Sequence, residues 1–377
     1  MKGFVNVHCH MLNFKFIPDE FFKTRAPIRE RLLRSHTLAW LARLINFITP
    51  FRKYNRLHEL LALYRKDIFE VAAHLKKEME DAGIKLSVPL MMDLEYASFQ
   101  KKPEIPYRHQ IELVSRIALE YPGEIMPFVM VDPRRDRASD MTITALEEFG
   151  FLGVKMYPPL GYHPYHKAFF NEPSVNRELK AIYSYCQDND IPITVHCSSG
   201  GAYSNELMRC EQVRKEITHP LNWRKVLQDF PGLNLNLAHF GGDFMDIGDK
   251  GSWSYEIMKM MSDFKHVFAD LSYHDEALKK GSKEYFKLLN SVIKKPGIRN
   301  RVLFGTDWSM TRHTWNESEF IAPFIKSTDL RQLALINPMN FLFPGNKIPK
   351  RITRFFKDNG RQVSGFLDEY LSKGRKR

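Results

Sequence analysis

The chain begins MKGFVNVHCH, and two histidines one residue apart close its first apolar run. Phe4, Val5 and Val7 read as a strand, in which residues two apart share a face. His8 and His10 therefore project together while Cys9 points the other way. Two such imidazoles can share a metal ion, or they can be ordinary histidines at a strand end. The same kind of interruption recurs as Lys155 in GVKMY, His196 in ITVHC, His239 in LAHF and Asp307 in FGTDW. Taken singly, each has a structural reading: a histidine bonded to backbone, a lysine paired with a carboxylate, an aspartate capping a helix. Independent structural residues have no reason to fall at the same end of five apolar runs, so the set points to one site. Imidazole nitrogens with one carboxylate suit Zn²⁺, with Mn²⁺ or Co²⁺ as alternatives. Such an ion lowers the pKa of water to about 7 and supplies hydroxide at neutral pH.

Elements that bring these residues together are visible as short apolar runs at 4–10, 85–93, 125–132, 151–157, 191–197, 233–240, 266–273 and 301–308. They are near-continuous rather than alternating, as in strands covered on both faces. Helical periodicity fills the gaps. Over 67–81, Ile68, Val71, Ala72, Leu75 and Met79 recur at one face and Gly83 closes the segment; residues 107–121 and 222–230 repeat the pattern and stop at Pro-Gly. Strand–helix units repeated eight times predict an α/β fold, a (β/α)8 TIM barrel with a helical insertion after strand 1. The barrel domain spans 1–343 with the insertion at 11–65, and 344–377 forms a basic C-terminal extension. A second, shorter insertion at 198–219 follows strand five. Loops after barrel strands sit over the active-site mouth, which makes the first insertion a candidate lid or oligomer contact. The same rule places Tyr157 and His163 after strand four, and Trp308 after strand eight, where they can touch substrate. Strand parity turns Cys9 and Cys197 away from their neighbouring histidines, into packing rather than ligation.

Bulk properties bound the rest. The formal net charge is +12, much of it in 23–66 and in the terminal KGRKR. A solvated basic face explains this better than nucleic-acid binding, although an anionic small-molecule substrate is compatible with it. No apolar stretch approaches the ~20 residues needed to span a bilayer. Four cysteines make no disulfide framework and no signal peptide opens the chain, so a reducing cytoplasm is expected.

The order HCH on strand one, His196 on five, His239 on six and GTDW on eight resembles the amidohydrolase superfamily of metal-dependent barrels. FVMVDPRRD at 128–136, GFLGVKMYPP at 150–159, PLNWRKVLQDFPGLNLNLAHFGG at 220–242 and NPMNFLF at 337–343 resemble its amidohydrolase-related branch, which includes aminocarboxymuconate-semialdehyde decarboxylase. The resemblance implies that His8, His10 and His196 bind one divalent metal together with Asp307, and that His239 polarises a substrate oxygen or shuttles a proton. It also implies that Asp307 exchanges a proton with water, and that Lys155 bridges a second metal only if the centre is binuclear. The activity it implies first is hydrolysis, metal-activated water attacking the carbonyl of an amide, ester or lactone. The alternative is non-oxidative decarboxylation of an aromatic or conjugated acid on the same residues.

Overall fold

The computed structural model describes residues 3–18, 56–97, 102–204, 207, 210–363 and 365–374. Most of the first insertion, including its aromatic and basic stretch at 27–50, lies outside the described residues.

All eight expected runs form strands: β1 Phe4–Cys9, β2 Ile84–Pro89, β3 Phe128–Val129, β4 Gly153–Met156, β5 Ile193–Val195, β6 Leu235–Leu237, β7 Val267–Asp270 and β8 Val302–Leu303. Each pairs in parallel with the next, β1 with β2 and β3 through β8 in sequence order. Single bridges Ser87–Ile125 and Leu90–Phe128 join β2 to β3, and Cys9–Trp308 joins β1 to the end of β8. Val7 N donating to Phe304 O at 3.1 Å completes the seam. The sheet therefore closes, with helices between consecutive strands, as a (β/α)8 barrel.

Strand parity decides what faces inward. Val154 and Met156, Ile193 and Val195, and Leu235 and Leu237 all join the hydrophobic cluster shared with the surrounding helices. Alternation then turns Lys155, Thr194 and Asn236 into the barrel interior. Lys155 is in register with Thr194, and Thr194 with Asn236. On β1 the inward series runs Asn6, His8, His10, with Asn6 in register with Ser87 of β2. The layer just below the histidines is polar, formed by Asn6, Ser87, Lys155, Thr194 and Asn236.

Local signals explain where the helices begin and end. Asp67 accepts from Phe69 N at 2.9 Å while Glu70 reaches back to Asp67 N at 3.2 Å, a reciprocal cap that starts the Ile68–Ala82 helix. Gly83, at φ +72°, ends that helix in the left-handed conformation and leads directly into β2. Helices at Tyr107–Glu120 and Leu221–Asp229 match their expected positions, and the second insertion carries a helix at Glu211–Thr218. Cys9 and Cys197 are buried in the hydrophobic cluster as free thiols.

Beyond residue 343 the chain folds back on the barrel. Ile352, Phe355, Phe356, Leu367 and Leu371 share a hydrophobic cluster with Val5, Leu86, Val88 and Leu152. Arg351 gives its guanidinium to the carbonyls of Leu146, Phe151 and Leu152 just before β4. Asn234, just before β6, donates to Phe341 O at 2.6 Å. These contacts lie at the N-terminal ends of the strands, so the C-terminal segment covers the end of the barrel opposite the histidines. Among the described residues no helix is long and apolar enough to cross a membrane.

Candidate metal centre

His8, His10 and Asp307 converge where β1 meets the end of β8. The Asp307 backbone N–H donates to His8 O at 2.8 Å, which holds the two chain segments in contact. Gly305 permits the approach, because a Cβ there would stand 2.7 Å from His8 Cβ. Asp307 itself has φ +60°, a strained conformation for a non-glycine residue that aims its carboxylate between the imidazoles. His10 Nδ1 donates to Leu90 O at 2.8 Å, which leaves Nε2 as a lone pair 3.3 Å from Asp307 Oδ1. His8 Nε2 lies 3.6 Å from the same oxygen. Both His8 Nε2 and Asp307 Oδ1 are buried without a hydrogen-bond partner among the described residues.

A divalent cation fits this triad. Ligands ~2.1 Å from an ion at tetrahedral angles lie roughly 3.4 Å apart, close to both observed separations. Buried polar atoms are ordinarily paired, so unpaired lone pairs facing one another have the character of a ligand set. Burial pushes the pKa of His8 down, with Asp270 opposing and Lys155 adding to the shift; burial and then His8 push His10 well down. Both imidazoles are therefore neutral with a lone pair to give. Burial raises the Asp307 carboxyl well above its usual range, with Lys155 opposing. That is the mark of a buried carboxylate awaiting a cation.

A second cluster of potential ligands, His8, His239 and Asp270, has the opposite character. Asp270 Oδ2 accepts from His8 Nδ1 at 3.1 Å and from Asn236 Nδ2 at 2.7 Å. Its Oδ1 accepts from His239 N and Ser272 N, each at 3.0 Å, and from Ser272 Oγ. With five donors already on one carboxylate, no lone pair remains for an ion. Burial opposes its ionisation, but His8, His239 and Ser272 prevail and hold the Asp270 pKa well below the usual value. This cluster fixes a proton on His8 Nδ1 and thereby points the Nε2 lone pair at the triad. Asp270 was missed in the sequence, where the only signal is an acidic residue ending the apolar run VFAD.

His196 stands apart from the triad and beside His239, with Nδ1 3.1 Å from His239 Nε2. His196 Nε2 faces Gly200 O at 2.8 Å, while His239 Nδ1 faces Ser272 Oγ at 2.9 Å and Ser272 O at 3.2 Å. Both rings thus direct their N–H outward to acceptors, which leaves two lone pairs opposed across the gap. That arrangement is relieved when a proton or a cation enters. Burial and then Lys155 lower the His196 pKa to about 3, and burial and then His196 lower that of His239. His239 also has left-handed backbone, φ +60°.

Lys155 is buried with no hydrogen-bond partner for Nζ among the described residues, and burial lowers its pKa to about 8 against the pull of Asp270 and Asp307. Tyr157 lies at the site, its ring centroid 4.5 Å from that of His196 and its hydroxyl accepting from Ala202 N at 2.8 Å. The other two expected substrate contacts are placed differently. His163 fastens its own loop through Tyr165 and stacks on Phe170 with centroids 5.7 Å apart. Trp308 is turned into the barrel wall, where Nε1 donates to Glu78 at 3.0 Å.

Comparison with known proteins agrees with this architecture. A 2,6-dihydroxybenzoate decarboxylase complexed with 2,6-dihydroxybenzoate superposes with TM-score 0.57 at 13% identity, covering 91% of this chain and 99% of its own. A 5-carboxyvanillate decarboxylase from Novosphingobium aromaticivorans, with manganese bound, gives TM-score 0.56 at 12% identity over 90% of this chain and 97% of its own. A probable 2-pyrone-4,6-dicarboxylic acid hydrolase from Acinetobacter baumannii gives 0.53 at 11% identity over 90% and 99%. At these identities the likeness is one of fold. No curated protein sequence matches the chain. The amidohydrolase family model matches residues 5–343, nearly the whole chain. With a closed barrel, histidines and an aspartate at the C-terminal ends of its strands and that match, the chain belongs to the amidohydrolase family.

Proposed function

We propose that the chain is a metal-dependent enzyme acting on a small carboxylate-bearing molecule, and that its reaction is non-oxidative decarboxylation. The observation that carries the metal requirement is the orphan pair, His8 Nε2 and Asp307 Oδ1, facing each other beside the His10 lone pair. His8, His10 and Asp307 would hold the ion, and His196 joins them if its ring leaves the Gly200 carbonyl. Zn²⁺ suits the donor set, with Mn²⁺ and Co²⁺ as alternatives. Bound there, the ion supplies Lewis acidity to a substrate oxygen.

The remaining work falls to the chain's own groups. Tyr157 borders the space a flat acid would occupy. As the C–C bond to the carboxylate breaks, carbon dioxide leaves and the bond's electron pair stays on the ring carbon. A proton from Asp307 or His239 then completes the product. Decarboxylation is preferred because two of the three similar structures above are decarboxylases of aromatic acids. Hydrolysis is the second reading, favoured by the pyrone dicarboxylic acid hydrolase among the similar folds. There Asp307 would take the proton of attacking water and His239 would stabilise the carbonyl oxygen.

The test is turnover of dihydroxybenzoates, carboxyvanillate, lactones and esters in ¹⁸O-labelled water by protein loaded with Zn²⁺ or Mn²⁺. Carbon dioxide release without label in the organic product supports decarboxylation, and label in a ring-opened acid supports hydrolysis. Elemental analysis showing no bound metal after loading would remove both.

A further inference from the structure

We infer that Lys155 receives an anionic oxygen of the substrate, a carboxylate or phenolate, and so restricts the site to small organic anions. The inference rests on the reading that the site acts on a small molecule beside a metal, and it assigns the group that selects for charge.

Lys155 is on the inner face of β4, in register with Thr194 and through it with Asn236, whose amide holds Asp270. Its ammonium lies 5.7 Å from the centroid of the Tyr157 ring, which itself stands 4.5 Å from that of His196, so the charge is on the site side of the barrel wall. Nζ is nevertheless buried with no hydrogen-bond partner among the described residues. A cation so placed is costly unless something pairs with it.

Three other buried or half-buried cations among the described residues are paired. Arg351 caps three carbonyls, Arg312 meets Glu78 and Glu59 at 2.7 and 2.6 Å, and Arg135 clamps Asp93. Those cations meet carboxylates or carbonyls, whereas Lys155 Nζ has, among the described residues, no such partner and only the face of the Tyr157 ring, 5.7 Å from its centroid.

Charge balance indicates what would pair with it. With the histidines neutral, two carboxylates (Asp270 and Asp307) and one ammonium around a divalent ion leave one positive charge. One arriving anion cancels it. Without Lys155 the loaded site would already be neutral and would gain nothing from an anion over a neutral analogue. The lysine thus makes the difference between selecting an acid and admitting any ring of similar shape.

The experiment is calorimetric titration of salicylate and of phenol into metal-loaded and metal-free protein, wild type and Lys155→Met, with metal per chain measured on each sample. Salicylate should bind the wild type and weaken by about 10- to 100-fold in Lys155→Met, while phenol affinity and metal content hold. Lys155→Arg should recover part of the salicylate affinity, which a merely structural loss would not. Equal salicylate affinity in wild type and Lys155→Met overturns the inference, as does a wild type that binds salicylate no more tightly than phenol. So does metal content that falls from two equivalents to one in Lys155→Met, since the lysine would then be a ligand. Salicylate binding that depends on Lys155 in a protein that turns over no acid would sink the proposed reaction and leave this inference standing.

Discussion

The two nitrogens of His8 open onto opposite kinds of surroundings. On the Nδ1 side, His8, Ser272, Asn236 and the His239 backbone place five donors on the one Asp270 carboxylate. On the Nε2 side, the lone pairs of His8 and His10 and Asp307 Oδ1 face each other, with Lys155 on the inner face of β4; three of these four groups carry a buried atom without a hydrogen-bond partner among the described residues. A single imidazole ring separates them. The saturated side is a rigid scaffold, and its hydrogen bonds set which nitrogen carries the proton. The unsatisfied side costs stability until a guest arrives, which is how a folded chain stores affinity for an ion or an anion. Counting the donors on each carboxylate, five on Asp270 and none on Asp307 Oδ1 among the described residues, therefore separates what holds from what binds, although both sides are made of the same residue types.

Substitutions on the open side should have the largest effect. Asp307→Asn keeps shape and loses charge, so metal content after dialysis should fall from about one equivalent to below about a tenth, with activity down at least about 10³-fold. His8→Ala should do the same. Asp270→Asn, on the saturated side, should weaken metal affinity by only about 10- to 100-fold. Its larger cost is in folding, about 3–5 kcal/mol by denaturant midpoint, because a buried charge network loses one partner. If Asp270→Asn emptied the site as completely as Asp307→Asn while unfolding at the wild-type midpoint, the distinction between the two sides would fail.

Acid should separate the sides in a second way. The histidine pKa values are lowered in the fold, that of His196 to about 3. Such a group stabilises fully above the unfolded value near 6.5 and loses that contribution as pH falls toward the folded value. The metal-free protein should therefore lose up to about 1.4 kcal/mol per pH unit per histidine below roughly pH 6.5. His196→Asn should reduce the slope by one proton. A slope unchanged in that variant would mean that His196 is already charged in the fold.

Most of the architecture was legible because it depends on local periodicity. The eight apolar runs became eight parallel strands in order, and residues two apart on β1 did share a face. Polar residues that interrupt those runs end up at the strand ends, and His8, His10 and Asp307 lie within one cluster there. Asp270 escaped because its importance comes from partners brought in by topology, Asn236 from β6 and His8 from β1, which no local pattern displays. Trp308 escaped for a similar reason: its indole is aimed by Glu78, 230 residues away, and not by the site it neighbours. His196 lies at the expected strand end, but its rotation toward Gly200 depends on a loop whose path no periodicity encodes.

The smallest effect on the site should come from the wall behind it, where Glu317 tests whether saturation can depend on a proton. Asn6 Oδ1 accepts from His8 N at 3.1 Å and Thr306 N at 3.2 Å, and Asn6 Nδ2 donates to Thr306 Oγ1 at 2.7 Å and Glu317 Oε1 at 3.1 Å. Thr306 Oγ1 donates to the same Glu317 oxygen at 2.8 Å. This clasp ties β1 just before His8 to the segment just before Asp307. Burial raises the Glu317 pKa to about 8, with the Thr306 hydrogen bond opposing, so the side chain is largely a neutral acid at pH 7. Glutamine reproduces that neutral shape and keeps the accepting oxygen, so Glu317→Gln should leave metal content and activity unchanged. Because the folded pKa lies above the unfolded one, wild type loses stability as pH rises from about 4.5 to 8. Glu317→Gln removes that loss, so its denaturant midpoint should match wild type near pH 5 and exceed it by pH 8. A variant that instead shed its metal would show that the wall needs a carboxylate charge, and that the saturated scaffold extends through β1 to the Glu317–Ser327 helix.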